Sequence, residues 1–62
     1  MIKLTKREIE VAALVMLGLT NSEIAKRLSI SPRTAQDHVY NCMTKYCVGS
    51  RRKLTYVLMK LA

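Results

Sequence analysis

Apolar residues recur along this chain at three-and-four spacing in four blocks, each set off by a short polar interruption. That period belongs to helices, and it predicts four of them, over about residues 6–17, 21–28, 32–46 and 51–61. In the first block Ile9, Ala12, Ala13, Met16 and Leu17 are expected on the buried face, with Arg7 and Glu10 in water. In the second, Ile24, Ala25 and Leu28 face inward and Lys26 and Arg27 outward, the small Ala25 letting another helix pass close. The third block places Ala35, Val39, Cys42, Met43 and Tyr46 on one face. It leaves Arg33, Gln36, Asp37, Tyr40, Asn41 and Thr44 on the other, a set rich in groups able to read a base edge. The fourth carries a core stripe of Leu54, Val57, Leu58 and Leu61, with Tyr56 and Met59 left over on a second, partly apolar face.

The interruptions have the chemistry of helix ends. Thr5 and Glu8, and again Thr20 and Glu23, have the spacing of a capping box, in which hydroxyl and carboxylate each satisfy an orphaned backbone N–H. Ser31 suits an N-cap and Pro32 the first helical position, where its missing N–H is not needed; Ser50 is the cap expected for the last helix. Gly18 takes the left-handed conformation that ends a helix without penalty. Ser29-Ile30-Ser31 is too short to do more than turn the chain sharply. The expected fold is all-α, a four-helix bundle in which the second and third helices form a helix-turn-helix.

Size and charge narrow the function. Sixty-two residues make one domain, 1–62, and half of them are hydrophobic, yet Phe and Trp are absent, so the core must come from Leu, Ile, Val, Met and Ala. The net charge is +7. Residues 32–62 carry six cations against Asp37 alone, so the positive field lies on the same half as the polar helix face. Such an excess attracts polyanions, nucleic acid first and acidic membrane surfaces second. The last helix, about a dozen residues and needed by the bundle, makes a poor membrane anchor. Cys42 and Cys47 fall on different sides of a continuous helix, so both are expected reduced, with Cys42 in the core. With His38 the only histidine, neither a metal site nor a catalytic constellation is expected; nor is a cofactor or small-molecule ligand. The chain has no run of membrane-spanning length and no signal peptide, which points to a soluble, cytoplasmic, non-enzymatic module that does not enter membranes.

Several stretches also look familiar in order along nearly the whole chain: Leu4-Thr5-Lys6-Arg7-Glu8-Ile9-Glu10-Val11, Gly18-Leu19-Thr20-Asn21-Ser22-Glu23-Ile24-Ala25, Leu28-Ser29-Ile30-Ser31-Pro32-Arg33-Thr34, His38-Val39 with Asn41, and Lys45 with Val48-Gly49-Ser50-Arg51. Together they resemble the LuxR-type helix-turn-helix domain of GerE-, NarL- and FixJ-like bacterial transcription regulators, response regulators among them. The resemblance implies binding to double-stranded DNA in the bacterial nucleoid as a dimer, with the third helix in the major groove and the fourth forming much of the dimer contact. It implies base contacts from Gln36, Asp37, Tyr40 and Asn41 and phosphate contacts from Thr20, Asn21, Arg33, Thr34 and Lys45. Arg51 joins these cations in the basic cluster around the third helix. Tyr56 and Met59 are the candidate contacts of a weak homodimer, and RNA polymerase is a further candidate partner.

Residue by residue there are plainer readings. Gln36 is a good helix former as well as a bidentate partner for adenine, Tyr40 could cover the core edge, and Asp37 could favour the helix start. The chain departs from the family where Tyr46-Cys47 replace Leu-Gly, where Ala35 and Cys42 replace larger aliphatics, and where Asp37 replaces a basic or neutral residue. The alternative function is a helix-turn-helix that meets an acidic protein partner.

Overall fold

Each helix starts where a side chain replaces a missing carbonyl. The computed structural model describes residues 2–61; Met1 and Ala62, the ends of the expected domain, lie outside that range. Thr5 Oγ1 accepts the Glu8 N–H at 3.1 Å while Glu8 Oε1 accepts the Thr5 N–H at 2.9 Å, and α1 runs Lys6–Met16. Thr20 and Glu23 repeat the exchange at 3.2 and 2.7 Å at the head of α2, Asn21–Leu28. Ser31 Oγ accepts the Thr34 N–H at 3.1 Å with Pro32 in the first turn of α3, Pro32–Lys45. Ser50 Oγ accepts the Lys53 N–H at 3.2 Å before α4, Arg51–Leu61. Leu17 and Tyr46, expected as last helical residues, are C-caps instead.

Three of the helices end the same way. After α1, Gly18 N–H reaches the Val15 carbonyl at 2.9 Å and Leu19 N–H the Leu14 carbonyl at 3.2 Å. After α2, Ser29 and Ile30 bond Lys26 and Ala25; after α3, Cys47 and Val48 bond Thr44 and Met43 at 3.1 and 3.0 Å. This is the Schellman pattern, and it needs one left-handed residue in each case: Gly18 (φ 86°), Ser29 (φ 57°) and Cys47 (φ 56°). The following apolar residue, Leu19, Ile30 or Val48, packs on the core. Tyr46-Cys47 thus closes the third helix with the geometry a glycine would give, at the steric cost of a Cβ in the left-handed region.

The core lies along one stripe of α3, Ala35, Val39 and Cys42, which packs most extensively on α1 and α2 and also meets α4. Ile24 and Ala25 come from α2, Leu54 and Leu58 from α4, and Val11, Ala12, Leu14 and Val15 from α1. The α1 contribution corrects the expected face: Ile9, Ala13 and Leu17 are exposed and Met16 half-buried. From Val11 onward α1 is apolar on every side, so spacing alone leaves its rotation open. The capping box turns Glu8 inward, and 11, 12 and 15 follow it at three, four and seven residues. In α4, Leu61 is 66% exposed because none of the described residues covers the last turn, and Val57 is half-buried; the stripe is Leu54 and Leu58. No helix among the described residues is long and apolar enough to cross a membrane.

The left-handed positions generate a stability test. Cys47→Gly should stabilise the fold by about 1 kcal/mol, read as a higher urea midpoint at unchanged slope, whereas Gly18→Ala should destabilise it by a similar ~1 kcal/mol. An unchanged midpoint for Cys47→Gly would show that the left-handed residue is not strained.

Candidate nucleic-acid interface

The outer face of α3 forms because its inner one is narrow. With Ala35, Val39 and Cys42 taking up the buried stripe, Arg33, Gln36, Asp37, Tyr40, Asn41 and Thr44 are all exposed, Tyr40 at 66%. Tyr40 therefore does not cover the core edge. The Gln36 and Asn41 side-chain amides have no partner among the described residues, so their donors and acceptors are uncommitted. Arg33 Nε lies 3.4 Å from Asp37 Oδ1, one turn apart on the same face. Asp37 is the sixth residue of α3, past the first turn in which a carboxylate gains from the exposed N–H groups, and the first turn holds no acid. Thr44 is spent on its own helix, donating to the Tyr40 carbonyl at 3.1 Å.

The start of α2 also carries open donors. Thr20 Oγ1 and the Thr20 carbonyl take the N–H groups of Glu23 and Ile24, which leaves those of Asn21 and Ser22 without partners among the described residues. Glu23 is held below the ordinary glutamate range by the Thr20 N–H first and the Thr20 hydroxyl second, so it stays anionic as a cap. At the start of α3, Thr34 Oγ1 pairs with Ser31 Oγ at 2.8 Å and the Arg33 N–H remains open.

Three of the expected phosphate contacts, Lys45, Arg51 and Asn21, have side chains engaged within the fold. Lys45 Nζ sits 2.6 Å from the buried Glu8 carboxylate and 3.1 Å from the Lys3 carbonyl, tying the end of α3 to the start of α1. The Arg51 guanidinium donates to Asn21 Oδ1 and to the Leu19 carbonyl, tying the start of α4 to the start of α2. Composition and spacing gave no sign of either tie, since the partners are 37 and 30 residues apart and Glu8 reads as a cap alone. The third ammonium proton of Lys45 and the outer donors of Arg51 are what remain for a phosphate. Lys26 and Arg27, by contrast, stand exposed in the last turn of α2 with no acidic partner among the described residues.

The cysteines play no part in this face. Cys42 is fully buried, and burial first and the Glu8 charge second push its thiol pKa up, so it packs as a neutral side chain, while Cys47 is exposed. Tyr56 and Met59, each 62% exposed, line a shallow groove with Val15, Met16 and Thr55 between α1 and α4, to which α3 contributes no lining residue. Lys60 Nζ lies 5.4 Å above the Tyr56 ring.

The sequence compares as the geometry suggests. Residues 3–58 match the family described as bacterial regulatory proteins, luxR family. The spore germination protein GerE of Bacillus subtilis is 40% identical over 58 residues, covering 94% of this chain and 78% of the relative. The transcriptional regulatory protein LnrK of the same organism is 45% identical over 51 residues, covering 82% and 23%. The oxygen regulatory protein NreC of Staphylococcus aureus is 37% identical over 57 residues, covering 92% and 26%. Two Mycobacterium relatives reach 47% over 51 residues, of which this chain spans only 6% of the length.

The tie between Glu8 and Lys45 predicts an acid response. Lys45 first, and the Thr5 N–H next, hold Glu8 below its ordinary value, so its stabilising contribution is complete above about pH 4.3 and is lost as pH falls through the lower, folded value. Glu8→Gln keeps a capping residue but drops the charge, and should cost about 1 kcal/mol at neutral pH. Urea midpoints of wild type and variant, taken from pH 6 to pH 3, should converge at the acid end; parallel curves would contradict the pairing. Glu23 is common to both proteins and cancels.

Proposed function

We propose, from the premise that this chain belongs to the LuxR family of bacterial regulatory proteins, that it binds double-stranded DNA as the reading domain of a transcription regulator, with α3 in the major groove. The family is one of DNA-binding regulators, and the chain carries its helix-turn-helix. The observation that carries the reading is the outer face of α3: Gln36, Tyr40 and Asn41 are exposed on one side of a helix whose other side is core. Among the described residues neither amide has a partner, so their donors and acceptors are free for a base edge.

In this reading Gln36 bonds N6 and N7 of an adenine, Tyr40 and Asn41 reach neighbouring base edges, and Asp37 faces a base as well. The open N–H groups of Asn21 and Ser22, the Thr20 hydroxyl, and Arg33 with Thr34 take phosphates on either side of the groove, fixing register. Lys45 and Arg51 act mainly by holding the helices that present those groups, and add positive charge behind them. Tyr56 and Met59 supply the apolar part of a weak two-fold contact between copies, which would place two third helices over two half-sites.

Fluorescence anisotropy tests this directly. The chain should bind a random duplex at low salt, with log K falling linearly against log salt at about −0.9 per neutralised phosphate. Gln36→Ala should cost about 1–3 kcal/mol on a site selected from a random library and almost nothing on random duplex. An inverted repeat in the selected sites would establish dimeric binding. Absence of binding to any duplex at low salt would overturn the proposal in favour of a module that meets an acidic protein.

A further inference from the structure

We propose that Asp37 sets the sequence preference of this domain by rejection: it excludes duplexes that present guanine or thymine at the position it faces and admits those that present the amino group of cytosine or adenine. The inference deepens the reading of α3 as the major-groove helix and rests on it.

Asp37 is the only acid after Glu23, in the half of the chain that carries the +5 excess. It sits on the exposed face of α3 between Gln36 and Tyr40, where a carboxylate opposes binding to a polyanion. Nothing within the fold accounts for it. It caps no helix, lies beyond the first turn, and makes one ion pair, with Arg33 at 3.4 Å, in which the side chains are 82% and 60% exposed. A pair so exposed is screened by water and contributes little to stability.

In a major groove the charge acquires a use. Guanine offers N7 and O6 there, and thymine O4, all acceptors, so a carboxylate meets acceptor against acceptor between two phosphate rows. Cytosine N4 and adenine N6 are donors and satisfy it. A neutral reader loses only a hydrogen bond at the wrong base, whereas Asp37 adds repulsion and an unpaired charge, the repulsive element that specificity needs. Arg33, one turn away, stays close enough to offset the charge when the base is right and to bond a phosphate.

Removing a rejecting group should raise affinity for the wrong sequences, which removing an attractive contact does not do. Asp37→Ala and Asp37→Asn should bind random duplex several-fold more tightly than wild type, with a salt slope steeper by up to about 0.9. On the selected site, permuted one base pair at a time, discrimination should fall about tenfold at one position, where cytosine or adenine is preferred, and stay unchanged elsewhere. Releasing Arg33 could mimic this effect, so the comparison is repeated in an Arg33→Gln background, where the gain should persist. Unchanged or weaker random-duplex binding by both variants overturns the inference alone, as does a gain that vanishes with Arg33→Gln. A wild-type chain that binds no duplex overturns the DNA reading itself.

Discussion

The structure depends on a helix that must bury one narrow stripe and keep the rest of its surface wet. α3 meets all three other helices, yet only Ala35, Val39 and Cys42 of its fourteen residues are buried. Small side chains make this possible. A larger residue at 35 or 42 would hold the neighbouring helices further off, and with no Phe or Trp in the chain there is little to fill the gap. The thinness of the stripe is thus what leaves a wide arc of α3 exposed, and the other helices are placed by the need to close over it.

Hydrophobic closure alone would leave α3 poorly fixed about its axis, because alanine and valine give few directional contacts. Two polar ties supply direction. Lys45 anchors the last turn of α3 to the buried Glu8, whose carboxylate also caps α1. Arg51 joins the head of α4 to Asn21 and Leu19 at the head of α2, two helices that do not otherwise pack together. Both bring cations that would suit a phosphate into service as fasteners, and both connect residues bearing on the proposed interface to its frame. Orientation of the outer face of α3 is then a property of the whole bundle.

What was legible in the sequence follows from this division. Helix starts were, because capping is a matter of three adjacent positions: Thr5 with Glu8, Thr20 with Glu23, and Ser31 before Pro32 all do what their spacing says. The outer face of α3 was legible because its apolar positions are sparse enough to define one stripe. The rotation of α1 was not, since Val11 through Leu17 are apolar without interruption and any face could be chosen; it was settled by Glu8, a residue whose burial depends on Lys45 across the fold. The left-handed Ser29 was hidden, and at Cys47 only the glycine usual in the family pointed to it, because the hydrogen bonds and the packing of Ile30 and Val48 overrule the backbone preferences of serine and cysteine.

Electrostatics gives the same picture from another side. Of the four acids, Glu8, Glu10 and Asp37 each lie against a cation and Glu23 is bound into its cap, so none is free to cancel the field elsewhere. Eight cations are left without a carboxylate partner among the described residues, spread from Lys3 to Lys60. On the DNA reading proposed above, a field so distributed attracts any duplex alike and carries no sequence information. Selectivity must therefore come from a few groups whose contribution changes sign with the base they meet. In the proposed complex the neutral amides Gln36 and Asn41 would gain or lose a hydrogen bond, and an acid set among cations would gain one or meet repulsion. A strongly basic domain of this size has more need of the second kind of group, because its non-specific attraction is already large.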